Sequence, residues 1–288
     1  MKKELSKNLL KNLMGIIVSL SALTFSSCVK NTSSSKLSID YKAAKELYGQ
    51  EIKITPMDSS VTIEKNLITI APGKEDVTYE ITGYFNGQII NKTKDTTIRL
   101  NNAYLENTSG LPALKSSSKF EVSSVNGSTN YIVSSGRNYS KVAALQGKRG
   151  LVLGGSGNLY VVGNVCHGVE AEEVKIKGTG TFYLQGTKSG SALTCKTFTV
   201  EQKKDFKCYL INSKNGIKAD GFINISSGNY YLYDNEIALK TGIAQEAGDK
   251  HHSITLAGGT FYTFANKTFY VTEKEQYYPQ GAVFIEED

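Results

Sequence analysis

The residues with the clearest chemistry are aromatic. Tyr104, Tyr160, Tyr183, Tyr231 and Tyr262 each directly follow an apolar residue, the first four in a short "apolar-Tyr-apolar" segment, and Lys207 takes the equivalent place in "DFKCYL". In a strand, the residue after an inward one points outward. Equivalent strands stacked about 4.8 Å apart would line these side chains into one stripe. Sugar rings offer apolar C–H faces to an aromatic plane, and their hydroxyls need polar neighbours. A tyrosine stripe beside Lys175, Arg99, Thr199, Asn224 and Thr255 supplies both. The competing reading is that tyrosine suits strands and stacks across them, so the ladder stabilises the sheet.

Catalytic alternatives are thinner. A lyase acting on a uronate needs a base, and Lys175 or Lys207 would serve only with a lowered pKa. No acidic cluster stands beside them. A glycosidase needs two opposed carboxyl groups, and no such pair is identifiable. His251 and His252 are adjacent in a loop and His167 is a lone turn residue, so none fits a metal pattern. Cys166, Cys195 and Cys208 match no zinc spacing. They read as buried free thiols, with a Cys166–Cys195 disulfide as the alternative.

The elements that must position these residues repeat. Strand-like segments begin at Leu151, Val174, Phe198, Ile223 and Ile254, spaced 23, 24, 25 and 31 residues apart. Each is followed by a turn, often Gly-rich, and a second short strand. A small-then-branched pair then recurs at Ala113-Leu114, Ala144-Leu145, Gly168-Val169, Ala192-Leu193, Gly216-Ile217 and Ala238-Leu239. No unit carries a helical pattern, and none can bury its apolar residues alone. Stacking can, so the register predicts a three-sided parallel β-helix of about seven or eight coils over 52–288. Its inward ladders would be Leu151/Val174/Phe198/Ile223/Ile254 and Leu159/Phe182/Phe206/Tyr230/Phe261. A leucine-rich repeat would show a consensus that is absent here. With 17 Tyr and 27 Gly against 4 Pro and no Trp, the composition also favours strands and turns.

The N-terminus reads as a targeting segment. Lys2, Lys3, Lys7 and Lys11 precede the apolar run Leu13 to Phe25, then "SSC". Residues 1–27 thus read as a lipoprotein signal and Cys28 as the acylated residue, tethering the protein at a membrane surface. Removing that leader takes away Lys2, Lys3, Lys7, Lys11 and Glu4, and the net charge falls from +6 to +3. The basic balance therefore does not argue for nucleic acid. Residues 28–38 follow as a flexible tether. A short helix over "SIDYKAAKELYGQ", with Asp40 as N-cap and Gly49 as stop, is expected to cap the end of the domain at 39–288.

Three passages carry a family resemblance: Tyr79 to Lys115, "GSTNYIV" (Gly127 to Val133), and "LVLGGSGNLYVVGN…HGVEAEEVKIKGTGTFYLQG". They resemble secreted bacterial carbohydrate-binding domain-containing proteins. That resemblance implies a right-handed single-stranded parallel β-helix, shaped like pectate-type polysaccharide lyases. It also implies binding of cellulose- or pectin-like chains and bound calcium. The family's Asp-rich turns are missing here, where Lys188-Ser189-Gly190 and Lys214-Asn215-Gly216 stand instead. Glu170, Glu172 and Asp220 are the candidate carboxylates for a calcium site, which needs several oxygen ligands on one point. Solvated surface charge is the plainer reading of them.

These readings combine into one expectation: a monomeric lipoprotein of the bacterial envelope, at the outer membrane or cell surface. It binds polysaccharide without catalysis through Tyr104, Tyr160, Tyr183, Lys207, Tyr231, Tyr262 and Lys175. The alternatives are an adhesin with a protein ligand and, third, a pectate-type lyase.

Overall fold

In the computed structural model, the described residues are 29–32, 36–48, 51–137, 141–200, 205–242, 252–272 and 277–286. The leader at 1–27, Cys28, Gly49, His251 and most of the loop from Gly242 to Ser253 lie outside them. Among the described residues the protein is all-β, with one short α-helix and a 24-stranded sheet.

Almost every pairing in that sheet is parallel, and each strand pairs with its counterpart one repeat later. Three inward ladders result. The first runs Phe120–Leu151–Val174–Phe198–Ile223–Ile254, as the repeat predicts. The small-then-branched pairs form another, Ile89–Leu114–Leu145–Val169–Leu193–Ile217–Leu239. All of these residues are buried. Two short apolar residues per strand suffice because each packs against its equivalents above and below.

The remaining ladder corrects the sequence register. It runs Leu159–Phe182–Cys208–Tyr230–Phe261, with Cys208 where Phe206 was expected. A slip of two residues keeps every side chain on its own face, so alternation cannot reveal it. Phe206 is still buried, one step before the strand. Its ring meets Phe182 and Tyr230 edge-on. Gly228, at φ +100°, makes the room: a Cβ there would overlap the Phe206 ring.

Polar residues line one corner between ladders. Ser213 Oγ accepts from Gly186 N, and Asn235 Oδ1 accepts from Ser213 N. Asn266 Oδ1 in turn accepts from Asn235 N. These bonds satisfy turn amides that the strands leave unpaired.

The N-terminal segment departs from expectation twice. Strands β1 (Val29–Thr32) and β2 (Lys36–Ile39) pair antiparallel within the stretch read as a tether. Helix α1 (Tyr41–Lys45) then forms with Asp40 as N-cap, its carboxylate accepting from Ala43 N at 3.2 Å. It does not cap the end of the stack. The end is closed by β3 (Lys53–Thr55), antiparallel to β6 (Thr78–Asn86), and by β4 (Val61–Glu64), antiparallel to β5 (Leu67–Ile70). Instead α1 and the following turn Glu46–Tyr48 lie on the outer tyrosine face. Five helical residues cannot hold a helix by backbone bonds alone, so tertiary contacts must fix it.

Candidate functional site

The tyrosine column is longer than the sequence register suggested. It runs Tyr84–Tyr104–Tyr131–Tyr160–Tyr183–Tyr209–Tyr231–Tyr262 without interruption. Lys207 is not part of it; it pairs with Thr181 and Asn229 one column over, and Tyr209 takes its expected place. The same two-residue slip explains both corrections.

The rings stack on one another. Centroids lie 4.7 Å apart for Tyr131–Tyr160, 4.2 Å for Tyr160–Tyr183, 4.5 Å for Tyr183–Tyr209 and 4.3 Å for Tyr209–Tyr231, with planes within 14°. Each interior ring therefore has both faces covered by its neighbours. A sugar cannot lie on a face that another tyrosine occupies. The expected stacking platform is thus a self-filled ladder that presents ring edges.

Half of it is also covered. Tyr104, Tyr131 and Tyr160 are buried, and they share an outer apolar cluster with Ile39, Ala44, Val133, Val162 and Ile211. Tyr48 donates to Thr129 O at 2.6 Å, and Tyr104 donates to Tyr41 O at 2.8 Å. Lys45 pairs with the nearly buried Glu106 at 2.9 Å and lies 5.0 Å from the Tyr84 ring centroid. Hydrogen bonding with Tyr84 and Glu106 pushes the Lys45 pKa up to about 12. Tyr104 and Tyr160 are consequently withdrawn from any ligand surface, while Tyr183, Tyr209, Tyr231 and Tyr262 stay partly buried. Lys175 sits elsewhere, on the first ladder's outer column Val152–Lys175–Thr199–Asn224–Thr255.

A groove of about 520 Å³ lies outside the ladder of small-then-branched pairs. Two outward columns line it. One holds Lys115, Gln146, Glu170 and Thr194 on successive rungs. The other holds Lys148, Glu172, Lys196 and Asp220, each three residues after Leu145, Val169, Leu193 and Ile217 in turn. Gly147, Ala171 and Cys195 form the floor between the columns, and their small side chains make the hollow. Glu172 also borders a second hollow of about 610 Å³ with Lys94, Lys119 and Arg149.

The three candidate metal carboxylates all line this groove. Among the described residues there is no group of three His, Cys, Asp or Glu side chains able to hold an ion. Asp220 is paired with Lys218 at 2.8 Å. Glu170 accepts from Gln146 Nε2 at 3.1 Å, and burial pushes its carboxyl pKa up.

Cys166, Cys195 and Cys208 are free and buried, so the alternative disulfide does not form. Burial raises all three thiol pKa values. His167 Nδ1 accepts from Ser191 N at 2.9 Å, and burial lowers its pKa to about 4.

Residues 64–190 match the model of the carbohydrate-binding domain-containing protein family. The matched segment supplies Lys115, Gln146, Lys148, Glu170 and Glu172; Thr194, Lys196 and Asp220 extend the groove beyond it. A solved structure of a polysaccharide lyase-like protein from C. thermocellum, a gadolinium derivative, is similar with a TM-score of 0.51 at 15% identity. The likeness covers 80% of this chain and 88% of that one, and at this identity it is a likeness of fold. No curated protein matches the chain.

Sequence reasoning missed Tyr84, Tyr131 and Tyr209 in the ladder, and Lys115, Gln146, Lys148 and Lys196 in the groove. The signal for the groove was present: a charged residue three places after the branched residue in successive repeats, alternating in sign.

Proposed function

We propose that this chain is a lipid-anchored protein of the bacterial envelope that binds polysaccharide non-catalytically, and that its winding is a right-handed parallel β-helix. The parallel ladders and the lyase-like fold neighbour support the winding. The family match over 64–190 supports the ligand class. Acylation at Cys28, placement at the outer membrane or cell surface and a monomeric state rest on the sequence pattern alone.

The observation that carries the site is the groove. Its polar side chains recur rung after rung, and a polysaccharide is itself a repeating, hydroxyl-rich chain. A non-catalytic role fits because Glu170 and Asp220 already hold partners. The two lysines considered as bases, Lys175 and Lys207, belong to other ladders. A protein ligand is the second reading, favoured by the partly exposed rings of Tyr231, Tyr233, Tyr262 and Phe264.

Retention of the mature chain on cellulose, pectin and a soluble neutral glucan tests this reading. A Lys148→Ala/Lys196→Ala variant should lose most retention while a Tyr183→Leu variant with a native circular dichroism spectrum keeps it. If no glycan retains the wild type, or the groove variant binds normally, this function is wrong.

A further inference from the structure

The outer tyrosine face is covered at one end only, and the cover joins it to the proposed lipid anchor. Ile39, the last residue of β2, is buried in the outer apolar cluster with Tyr104, Tyr131 and Tyr160. The β1–β2 register sets Val29 opposite Ile39. Opposed residues of an antiparallel pair lie about 5 Å apart, and the peptide from Val29 back to Cys28 adds about 4 Å. Acyl chains on Cys28 therefore leave the protein beside the tyrosine face.

Beyond the cover the column continues for five rungs, Tyr183, Tyr209, Tyr231, Tyr262 and Ile285. Four spacings of about 4.8 Å make this strip about 19 Å long. The outward column on one side ends in Ile211, Tyr233 and Phe264. The one on the other side ends in Val283, which is 54% exposed. From the Tyr183 rung onward, Lys207 is the one charged side chain among the described residues of these three columns. Asp205 and Asp234 stand in turns at the margins. Asn229 Nδ2 donates to the first at 2.7 Å, and Lys188 pairs with the second at 3.0 Å. On the cover itself Leu47 is 65% exposed and Lys42 is exposed.

Exposed apolar residues are ordinarily scattered singly, whereas a contiguous apolar strip marks a protein or membrane contact. This strip has the chemistry of a membrane contact. Its stacked rings present their edges, and phenol combines an apolar body with a polar tip, the form that sits at the headgroup level of a bilayer. Without carboxylates the strip does not repel anionic lipids, and Lys207 and Lys42 attract them. Stable lipid anchoring takes two signals, and an apolar face beside the acylated residue supplies the second. We propose that the strip of Tyr183, Tyr209, Tyr231, Tyr262, Phe264 and Ile285 lies on the surface of the membrane that the Cys28 acyl chains enter. This rests on the proposed lipid anchor and adds a second contact to it. The groove belongs to a different side of the stack, so the contact leaves it open to polysaccharide.

The chain has no Trp, so one introduced indole reports on one place. Tyr262→Trp and Phe264→Trp put it on the strip, and Thr255→Trp puts it on another side of the same coil. Each lipidated chain with a native circular dichroism spectrum is reconstituted into phosphatidylcholine–phosphatidylglycerol vesicles. The lipid acyl chains carry bromine near the headgroup, and mass spectrometry of the N-terminal peptide reports acylation. The expected result is emission at positions 262 and 264 that shifts to the blue and is largely lost to bromine, with emission at position 255 unchanged. Equal quenching at all three positions in an acylated, vesicle-bound chain overturns the membrane contact and leaves the anchor standing. Shielding of 262 and 264 from acrylamide without bromine quenching also overturns it, because a second copy of the chain then covers the strip. An N-terminal peptide without acyl chains removes the anchor, and this proposal with it.

Discussion

Tyr160 and Tyr183 stand one rung apart, with ring centroids separated by 4.2 Å and planes within 2° of parallel. Strands at a fixed spacing bring identical side chains into van der Waals contact, and the flat phenol rings fill that spacing. The column that looked like a sugar platform is therefore held together by its own stacking. Its free surface is an edge, with different chemistry from a face.

Removing one ring should cost stability before it costs binding. Tyr183→Ala takes away two stacking partners at once, those to Tyr160 and Tyr209. A loss of about 2–3 kcal/mol is expected for a large aromatic truncated in a partly buried ladder. Urea unfolding measures it. An unchanged midpoint together with lost polysaccharide binding would restore the column as the ligand site.

Phe206 and Gly228 should be coupled. Gly228→Ala places a Cβ against the Phe206 ring at a φ of +100°, so both overlap and backbone strain oppose it. A destabilisation of about 2 kcal/mol or more is expected. The Phe206→Ala change opens that space, so the double variant should be less destabilised than the sum of the singles. A double-mutant cycle with strict additivity would show that the ring does not sit over Gly228.

The segment Ile39–Tyr48 should behave as a cover. Lys45→Ala removes the partner of Glu106, which is only 8% exposed. Lys45 itself is 43% exposed, so solvent screens the pair and the expected cost is about 1 kcal/mol. Tyr48→Ala removes contacts with Tyr104 and Tyr131 and should expose their rings. Quenching of tyrosine fluorescence by acrylamide should increase in that variant. Unaltered quenching would place the segment elsewhere in solution.

Acid should weaken the fold partly through His167. Its pKa is about 4 when folded, against an ordinary value near 6.5. Between those values the unfolded chain binds the proton and the folded chain does not. The contribution is whole above pH 6.5 and is lost as pH falls towards 4, amounting to on the order of 2–3 kcal/mol. Lys141 and Lys218 act in the same direction. His167→Asn retains an acceptor for Ser191 N and cannot titrate. Its unfolding midpoint should fall less than that of wild type between pH 7 and pH 4.5; equal falls would exclude His167 as the cause.

The repeat of apolar pairs was legible because stacking demands it. Leu151, Val174, Phe198, Ile223 and Ile254 can only be buried together by recurring in one register, and the chain order of the ladders follows. Short-range alternation also marked which side of each strand a tyrosine occupies. Two things escaped. A two-residue slip preserves inside and outside, so the choice between Lys207 and Tyr209 was made only by how Phe206 packs beneath Gly228. Nor could local pattern say whether Tyr41, Ala44 and Tyr48 close an end or cover a side, because that depends on an aromatic surface assembled from repeats far away in sequence.

Residue order alone settled a stacked all-β chain, its period and the residues of two of its three inward ladders, since burial and strand alternation are local properties repeated in order. Tertiary structure decided what the outward residues do. It turned the tyrosines onto each other by setting the spacing between rungs. It brought Lys115, Glu170, Glu172, Lys196 and Asp220 to one groove because residues a full repeat apart become neighbours only when the strands stack.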